Sequence, residues 1–181
     1  MPVGEGALGT AMKKRIRVNF IDHHSFVVSN DEGDPMRIEF FHRLSKYKPV
    51  ASGGKLFNNV GGRVLDKNAF VAQYKFNIAF ENSCVPGYTT EKVLEPLAVH
   101  SVPIYYGNPA IAADFNPSCM VHVANRGDVE RAVEEIIALD RDDAACLRKL
   151  SAPARLVKRV KAKIRGKRAE GSLEDFTKIA L

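Results

Sequence analysis

Two cations stand just inside the starts of predicted helices: Arg37, two residues after Pro35, and Lys92, two residues after Thr90. A helix start carries free N–H groups and the positive end of the dipole. A cation is misplaced there unless an anion offsets it. Both positions therefore suit a phosphate. The planar fork of Arg37 matches phosphate oxygens, and Lys92 supplies a point charge. Glu91 is an acceptor-only group fit to grip the hydroxyls of a ligand. Tyr88 can donate its O–H to a phosphate oxygen. Asn82, at a strand end, can bond a ligand or the backbone. Glu81 orients Lys92 or Arg37, or ties its loop down. Ser29, Asn30 and Gly107 complete the set: the first two end a strand at the same sheet edge, and a glycine admits a close backbone approach. Each residue has a plainer reading. Arg37 makes a surface ion pair with Asp34 or Glu39; Lys92 is solvated or pairs with Glu91 or Glu95; Glu91 merely offsets the helix dipole. Tyr88 packs half-buried, and Asn82, Ser29, Asn30 and Gly107 do ordinary turn chemistry.

The elements that must position these groups follow from the pattern between Tyr74 and Pro109. An apolar strand (Phe76 to Phe80) ends in a polar turn, Thr89 or Thr90 caps a helix to about Val99, and a second apolar strand (Val102 to Tyr106) stops at Gly107. Polar groups at strand ends beside a helix N-terminus form the crevice of an open α/β sheet. Upstream, Ile16 to Ile21 alternates like a short strand and Ser25 to Ser29 is an apolar strand. Pro35 fits a first helical position, and Met36, Phe40, Phe41 and Leu44 recur at helical spacing. Val50 opens a strand closed by Ser52-Gly53-Gly54. Lys67 to Gln73 reads as a short helix, Ala110 to Asp114 as a helical turn, and Met120 to Val123 as a strand. Asp128 caps a helix to about Leu139, and Asp142 to Leu150 is a last helix. Pro96 should kink or break its helix. Uniformly apolar strands alternating with helices predict an α/β fold: a Rossmann-like, mostly parallel sheet with helices on both faces.

The chain has 181 residues, 45% of them hydrophobic, which suits one domain with a core. The expected division is a loose leader over 1–15, a domain over 16–152 and a basic tail over 153–181. No apolar run is long enough to span a bilayer. The N-terminal residues lack the apolar stretch of a secretory signal, so a cytoplasmic location is expected. Cys84, Cys119 and Cys146 lack paired spacing and read as reduced thiols, with Cys84 exposed. The net charge of +6 is smaller than the eight cations gathered between Arg155 and Arg168, a stretch without acids. The body is therefore nearly neutral, which argues against nucleic acid as a partner. Leu156, Val160 and Ile164 recur every four residues in that stretch, as in a basic amphipathic helix suited to an anionic membrane surface. A helix packing onto another lobe, or a solvated end, fits the same pattern. His23, His24, His42, His100 and His122 have no zinc-ligand spacing and read as structural or exposed. Asp140-Arg141-Asp142 reads as a helix cap with a solvated face rather than a metal motif.

Three blocks, Y-K-F-N-I-A-F-E-N-S (Tyr74 to Ser83), G-Y-T-T-E-K (Gly87 to Lys92) and V-P-I-Y-Y-G-N-P (Val102 to Pro109), together resemble the signature of the α1,3-fucosyltransferases, glycosyltransferase family 10. The bacterial members that fucosylate Lewis-type glycans are the most similar. The likeness extends through Ser25 to Asn30, Pro35 to Arg37, Ser52 to Gly54 and Asp114 to Pro117, roughly residues 24 to 150. It implies the C-terminal half of a two-lobed GT-B fold, the lobe that binds GDP-fucose. An arginine at the place of Arg37 contacts the diphosphate in that family, and Glu91 and Lys92 match donor-site residues. It implies inverting transfer of L-fucose to the 3-hydroxyl of N-acetylglucosamine in a glycan. No cofactor is required; a divalent cation is stimulatory at most. Family members usually carry about 150 further residues ahead of this part, the size of another domain, and that lobe holds most of the acceptor site and the proposed base. The catalytic base is therefore not expected among these residues. An N-terminal-lobe partner chain is one candidate partner, and self-association through the surface that would face that lobe is another. The alternatives are a nucleotide-sugar binding module or gene remnant without turnover and, more distantly, a membrane- or nucleic-acid-surface protein acting through its tail.

Overall fold

The computed structural model describes residues 24–26 and 33–154, with the side chains of His24 and Ser25 excepted. The expected leader, the strand over 16–21, the end of the Ser25 to Ser29 strand, Ser29, Asn30, His23 and nearly all of the basic tail lie outside the described residues.

Among the described residues five parallel strands form the sheet: β1 (His24–Phe26), β2 (Val50–Ser52), β3 (Phe76–Phe80), β4 (Val102–Tyr106) and β5 (Val121–His122), in the order β2-β1-β3-β4-β5. Five α-helices among the described residues accompany them: α1 (Met36–Ser45), α2 (Lys67–Val71), α3 (Glu91–Ala98), α4 (Val129–Arg141) and α5 (Asp143–Ser151). Registers such as Ile78 opposite Ile104 and Phe26 opposite Ile78 align the strand ends.

The pleat sends alternate residues to opposite faces. Phe76, Ile78 and Phe80 of β3 and Val102, Ile104 and Tyr106 of β4 share a core with Phe40, Phe41 and Leu44 of α1 and Val133 and Ile136 of α4. Tyr105, in the opposite phase, packs with Val93 of α3. Phe70 and Val71 of α2 pack with Ala51 and Tyr74. Helices thus cover both faces, and each fully buried large side chain contributes about 1.5–3 kcal/mol. The doubly covered sheet is why the strands read as apolar throughout.

The chain leaves β1 through α1 toward β2 at one edge, and leaves β3 through α3 toward β4 in the other direction. The order reverses between β1 and β3. In a sheet of this order a ligand crevice is expected at the strand carboxyl ends there, beside the N-termini of α1 and α3.

Several local expectations need correction. α2 stops at Val71, and a turn closed by Tyr74 N–H on the Val71 carbonyl follows it. Pro96 does not break α3, which continues through it to Ala98; its carbonyl accepts the N–H groups of Val99 and Ser101 as the helix ends. The Asp128 carboxylate makes no cap bond to α4. It accepts instead from Ala124 N–H (3.0 Å) and from the Arg131 guanidinium (2.6 Å). That guanidinium holds the Asp128 carboxyl down at about 2. In the Asp-Arg-Asp segment only Asp142 is a cap, accepting from Ala145 N–H at 2.9 Å. Asp140 is not solvated: it accepts from Tyr47 Oη at 2.9 Å and pairs with Lys48 at 2.7 Å.

Candidate functional site at the strand switch point

β3 ends in Glu81 and Asn82, and pleat alternation turns these neighbours to opposite faces. Glu81 continues the phase of Asn77 and Ala79, toward α3. Its side chain is fully buried and receives three donors: Thr90 N–H at 2.7 Å, Thr90 O–H at 2.7 Å and Lys92 Nζ at 3.3 Å. Asn82 continues the phase of Ile78 and Phe80, toward α1. Its Oδ1 accepts from Arg37 Nη1 at 3.1 Å, and its carbonyl accepts from Asp34 N–H at 2.9 Å. Two consecutive residues at one strand end therefore hold the two cations, one at the start of each flanking helix.

The helix starts are built for this. Thr90 caps α3, its Oγ1 accepting from Lys92 N–H at 3.4 Å. Asp34 sits before α1, its Oδ1 accepting from Met36 N–H at 2.9 Å and its Oδ2 from Tyr106 O–H at 2.6 Å. Burial first, and then the bond and charge of Asp34, push the Tyr106 hydroxyl well above its ordinary range. Tyr106 thus stays a neutral donor that pins the α1 start to the end of β4.

Arg37 is 2% exposed, which overturns its reading as a surface ion pair. A Cβ built on Gly33 would lie 2.2 Å from Arg37 Nη2, so the backbone at residue 33 covers the guanidinium. Glu39, its other proposed partner, pairs with Arg126 at 2.9 Å. Lys92 is 24% exposed, with Glu91 Oε1 at 3.9 Å. Its other proposed partner, Glu95, pairs with Lys67.

Glu91 is exposed in the first turn of α3. Partial desolvation raises its carboxyl, but its own backbone N–H, Lys92, Lys67 and Thr90 outweigh that, and the net direction is down. It is an anion, hence an acceptor. Tyr88 is exposed on the loop before α3. Gly107 does not stand open to a ligand: a Cβ there would lie 2.4 Å from Glu81 Cγ, so the glycine makes room for the buried carboxylate. Arg37 meets Asn82 and Lys92 meets Glu81, so adjacent residues of one strand end hold the two cations, while Glu91 and Tyr88 are exposed nearby in the chain.

Asp34 and Asn108 escaped the sequence reading. Asp34-Pro35 ahead of a helical pattern is an Asx-cap signal that could have found the first. Asn108, buried on the loop after β4, carries a local turn signal in Asn108-Pro109, met by Ala110 N–H, but its bonds to Gly87 and Thr89, about twenty residues away, had none. Among the described residues, no group of three His, Cys, Asp or Glu side chains could hold a metal ion. No described helix is long and apolar enough to cross a membrane.

The fold and site define a doubly covered parallel α/β domain with two helix-start cations beside its switch point. The sequence profile of glycosyltransferase family 10 (fucosyltransferase), C-terminal part, matches residues 21–151, and the chain belongs to this family. An alpha-(1,3)-fucosyltransferase of Helicobacter pylori is 42% identical over 112 residues, 62% of this chain and 23% of that protein. The GDP-fucose protein O-fucosyltransferase 3 of Canis lupus familiaris is 43% identical over 130 residues, 65% of this chain and 27% of that protein. The crystal structure of an alpha1,3-fucosyltransferase with GDP-fucose superposes with a TM-score of 0.70 at 35% identity, over 78% of this chain and 43% of that one. The chain thus spans less than half the length of each of these relatives.

Proposed function

We propose that this chain is the donor-binding part of a fucosyltransferase, holding the diphosphate of GDP-fucose between the starts of α1 and α3. The observation that carries this reading is the anchoring of Arg37 and Lys92 on the adjacent residues Asn82 and Glu81. In an inverting transfer, an acceptor oxygen attacks the anomeric carbon from the side opposite the nucleotide. The bond from that carbon to the phosphate oxygen breaks, and its electron pair stays on GDP. Lys92, the positive dipole end at the α3 start and Arg37 stabilise the charge that grows on the leaving diphosphate. For a phosphate to reach Arg37, the backbone at Gly33 must draw back, because it covers the guanidinium. Glu91 and Asn82 grip ribose or fucose hydroxyls, and Tyr88 donates to a phosphate oxygen. The acceptor is a glycan, taken at the 3-hydroxyl of N-acetylglucosamine, and the base that removes its proton lies in an N-terminal lobe. The name of the Helicobacter relative supports a 1,3 linkage, and that of the protein O-fucosyltransferase favours a protein acceptor instead.

The test is incubation of the chain with GDP-fucose and an N-acetyllactosamine acceptor, alone and mixed with an N-terminal lobe from a relative. A fucosylated product with the new linkage at the 3-hydroxyl supports the whole reading. Donor binding without product under either condition would reduce it to a nucleotide-sugar binding module.

A further inference from the structure

Asn108 is buried at 1% exposure in the loop after β4, and both polar atoms of its side-chain amide are hydrogen-bonded. Its Oδ1 accepts two backbone N–H groups, from Gly87 at 2.9 Å and from Ala110 at 2.9 Å. Its Nδ2 donates to Thr89 Oγ1 at 3.0 Å. Two N–H donors at one end and a hydroxyl at the other fix which way the amide faces. Its own N–H donates to the hydroxyl of fully buried Tyr105 at 3.1 Å, so the residue is seated on the sheet.

Gly87 and Thr89 are the two neighbours of Tyr88. The amide thus brackets the one aromatic residue of the exposed loop, while Glu81 separately holds the next residue, Thr90. Gly87 adopts φ +80°, a left-handed turn that suits glycine and aims the chain into this bracket. We propose that Asn108 is a positioning residue of the donor site: it fixes the backbone on both sides of Tyr88, so that the tyrosine and the start of α3 meet the nucleotide diphosphate already in place. This rests on the donor-site reading above. The side chain touches no substrate; it acts through Tyr88. Without the amide, Tyr88 stays in the chain but samples many orientations, and its contribution to binding is spent on ordering it.

The experiment is calorimetric titration of GDP into the wild-type chain, Tyr88→Phe, Asn108→Ala and the double variant, with hydrogen exchange at Gly87 to Thr90 followed in parallel. The expected result is binding about tenfold weaker for Asn108→Ala. Tyr88→Phe should weaken binding in the wild-type background and not further in the Asn108→Ala background. Exchange at Gly87 should rise in the variant while exchange in β3 stays slow. Asn108→Asp, which keeps the acceptor for Gly87 and Ala110, should recover part of the loss. A merely structural role would lower the melting temperature but leave the Tyr88→Phe factor unchanged, and that outcome overturns the proposal. So does wild-type-like GDP binding by a folded Asn108→Ala chain. If the wild-type chain binds no GDP, the donor-site reading fails and this role falls with it, while the exchange data still report whether the bracket exists.

Discussion

Replacing Glu81 with glutamine removes one charge from the end of β3 and leaves the shape almost unchanged. The wild-type carboxylate is fully buried and accepts from the N–H and O–H of Thr90, both at 2.7 Å, and from Lys92 at 3.3 Å. A glutamine offers one oxygen for these donors and turns an NH2 group toward the rest. Hydrogen bonds to a buried charge contribute about 1.5–3 kcal/mol each, and stripping one partner from a buried pair costs about 3–5 kcal/mol. Lys92 keeps access to water and Thr90 O–H can rotate, which places Glu81→Gln at the lower end, about 2–3 kcal/mol. For a chain of this size that is a fall of roughly 5–10 °C in Tm. The matched control is Glu91→Gln, an exposed carboxylate ten residues on, expected to stay within about 0.5 kcal/mol. Urea unfolding of the two variants and the wild type measures both. Equal losses, or a loss under about 1 kcal/mol for Glu81→Gln, would refute the view that this carboxylate holds the start of α3.

Further outcomes follow from the same geometry. Gly107→Ala should cost about 3 kcal/mol, because its Cβ would meet the root of the Glu81 side chain at 2.4 Å and that side chain is held in place. Gly61→Ala, where nothing stands within 4 Å, should cost only the strain of its positive φ, about 1–2 kcal/mol; chemical denaturation compares them. The Asp128 carboxyl is held below its ordinary value of 3.8, at about 2, chiefly by the Arg131 side chain. Its stabilisation is complete above about pH 4 and is lost as pH falls through about 2, so unfolding curves of Asp128→Asn should depend less on pH across that window. Of the three cysteines only Cys84 is exposed, so a thiol reagent should titrate one thiol in the native chain and three after unfolding. Burial pushes the Cys119 and Cys146 thiols up, the latter to about 11, which slows them further.

The elements around the site were legible because each has a local cause. β3 and β4 are apolar runs of strand length, Thr90 is a cap residue before a helical pattern, and Met36, Phe40, Phe41 and Leu44 repeat at the period of the helix they form. Which residues meet was legible only in part. That Glu81 and Asn82 face opposite sides follows from strand alternation, but their targets depend on where α1 and α3 sit. The burial of Arg37 was not legible, since it comes from Asn82, 45 positions away, and from the missing side chain of Gly33. A glycine at a strand end such as Gly107 signals close approach without naming the partner, and here the side chain that a Cβ would meet is Glu81. Asp140 reads as a surface acid beside Arg141. Its partners Tyr47, Lys48 and Lys75 arrive from two earlier segments, and only the fold brings them together.

The central claim is that the cations at the starts of α1 and α3 form one diphosphate site. Titration of GDP into the wild-type chain, Lys92→Ala, Arg37→Lys and their combination tests it most directly, with melting curves confirming that each variant is folded. Lys92→Ala should lose about tenfold or more in affinity, as expected for a charge-assisted bond to phosphate. Arg37→Lys, which keeps the charge without the fork, should lose less, and the combination should bind more weakly than either. A folded chain that binds no GDP, or a combined variant that binds it as the wild type does, would contradict the account.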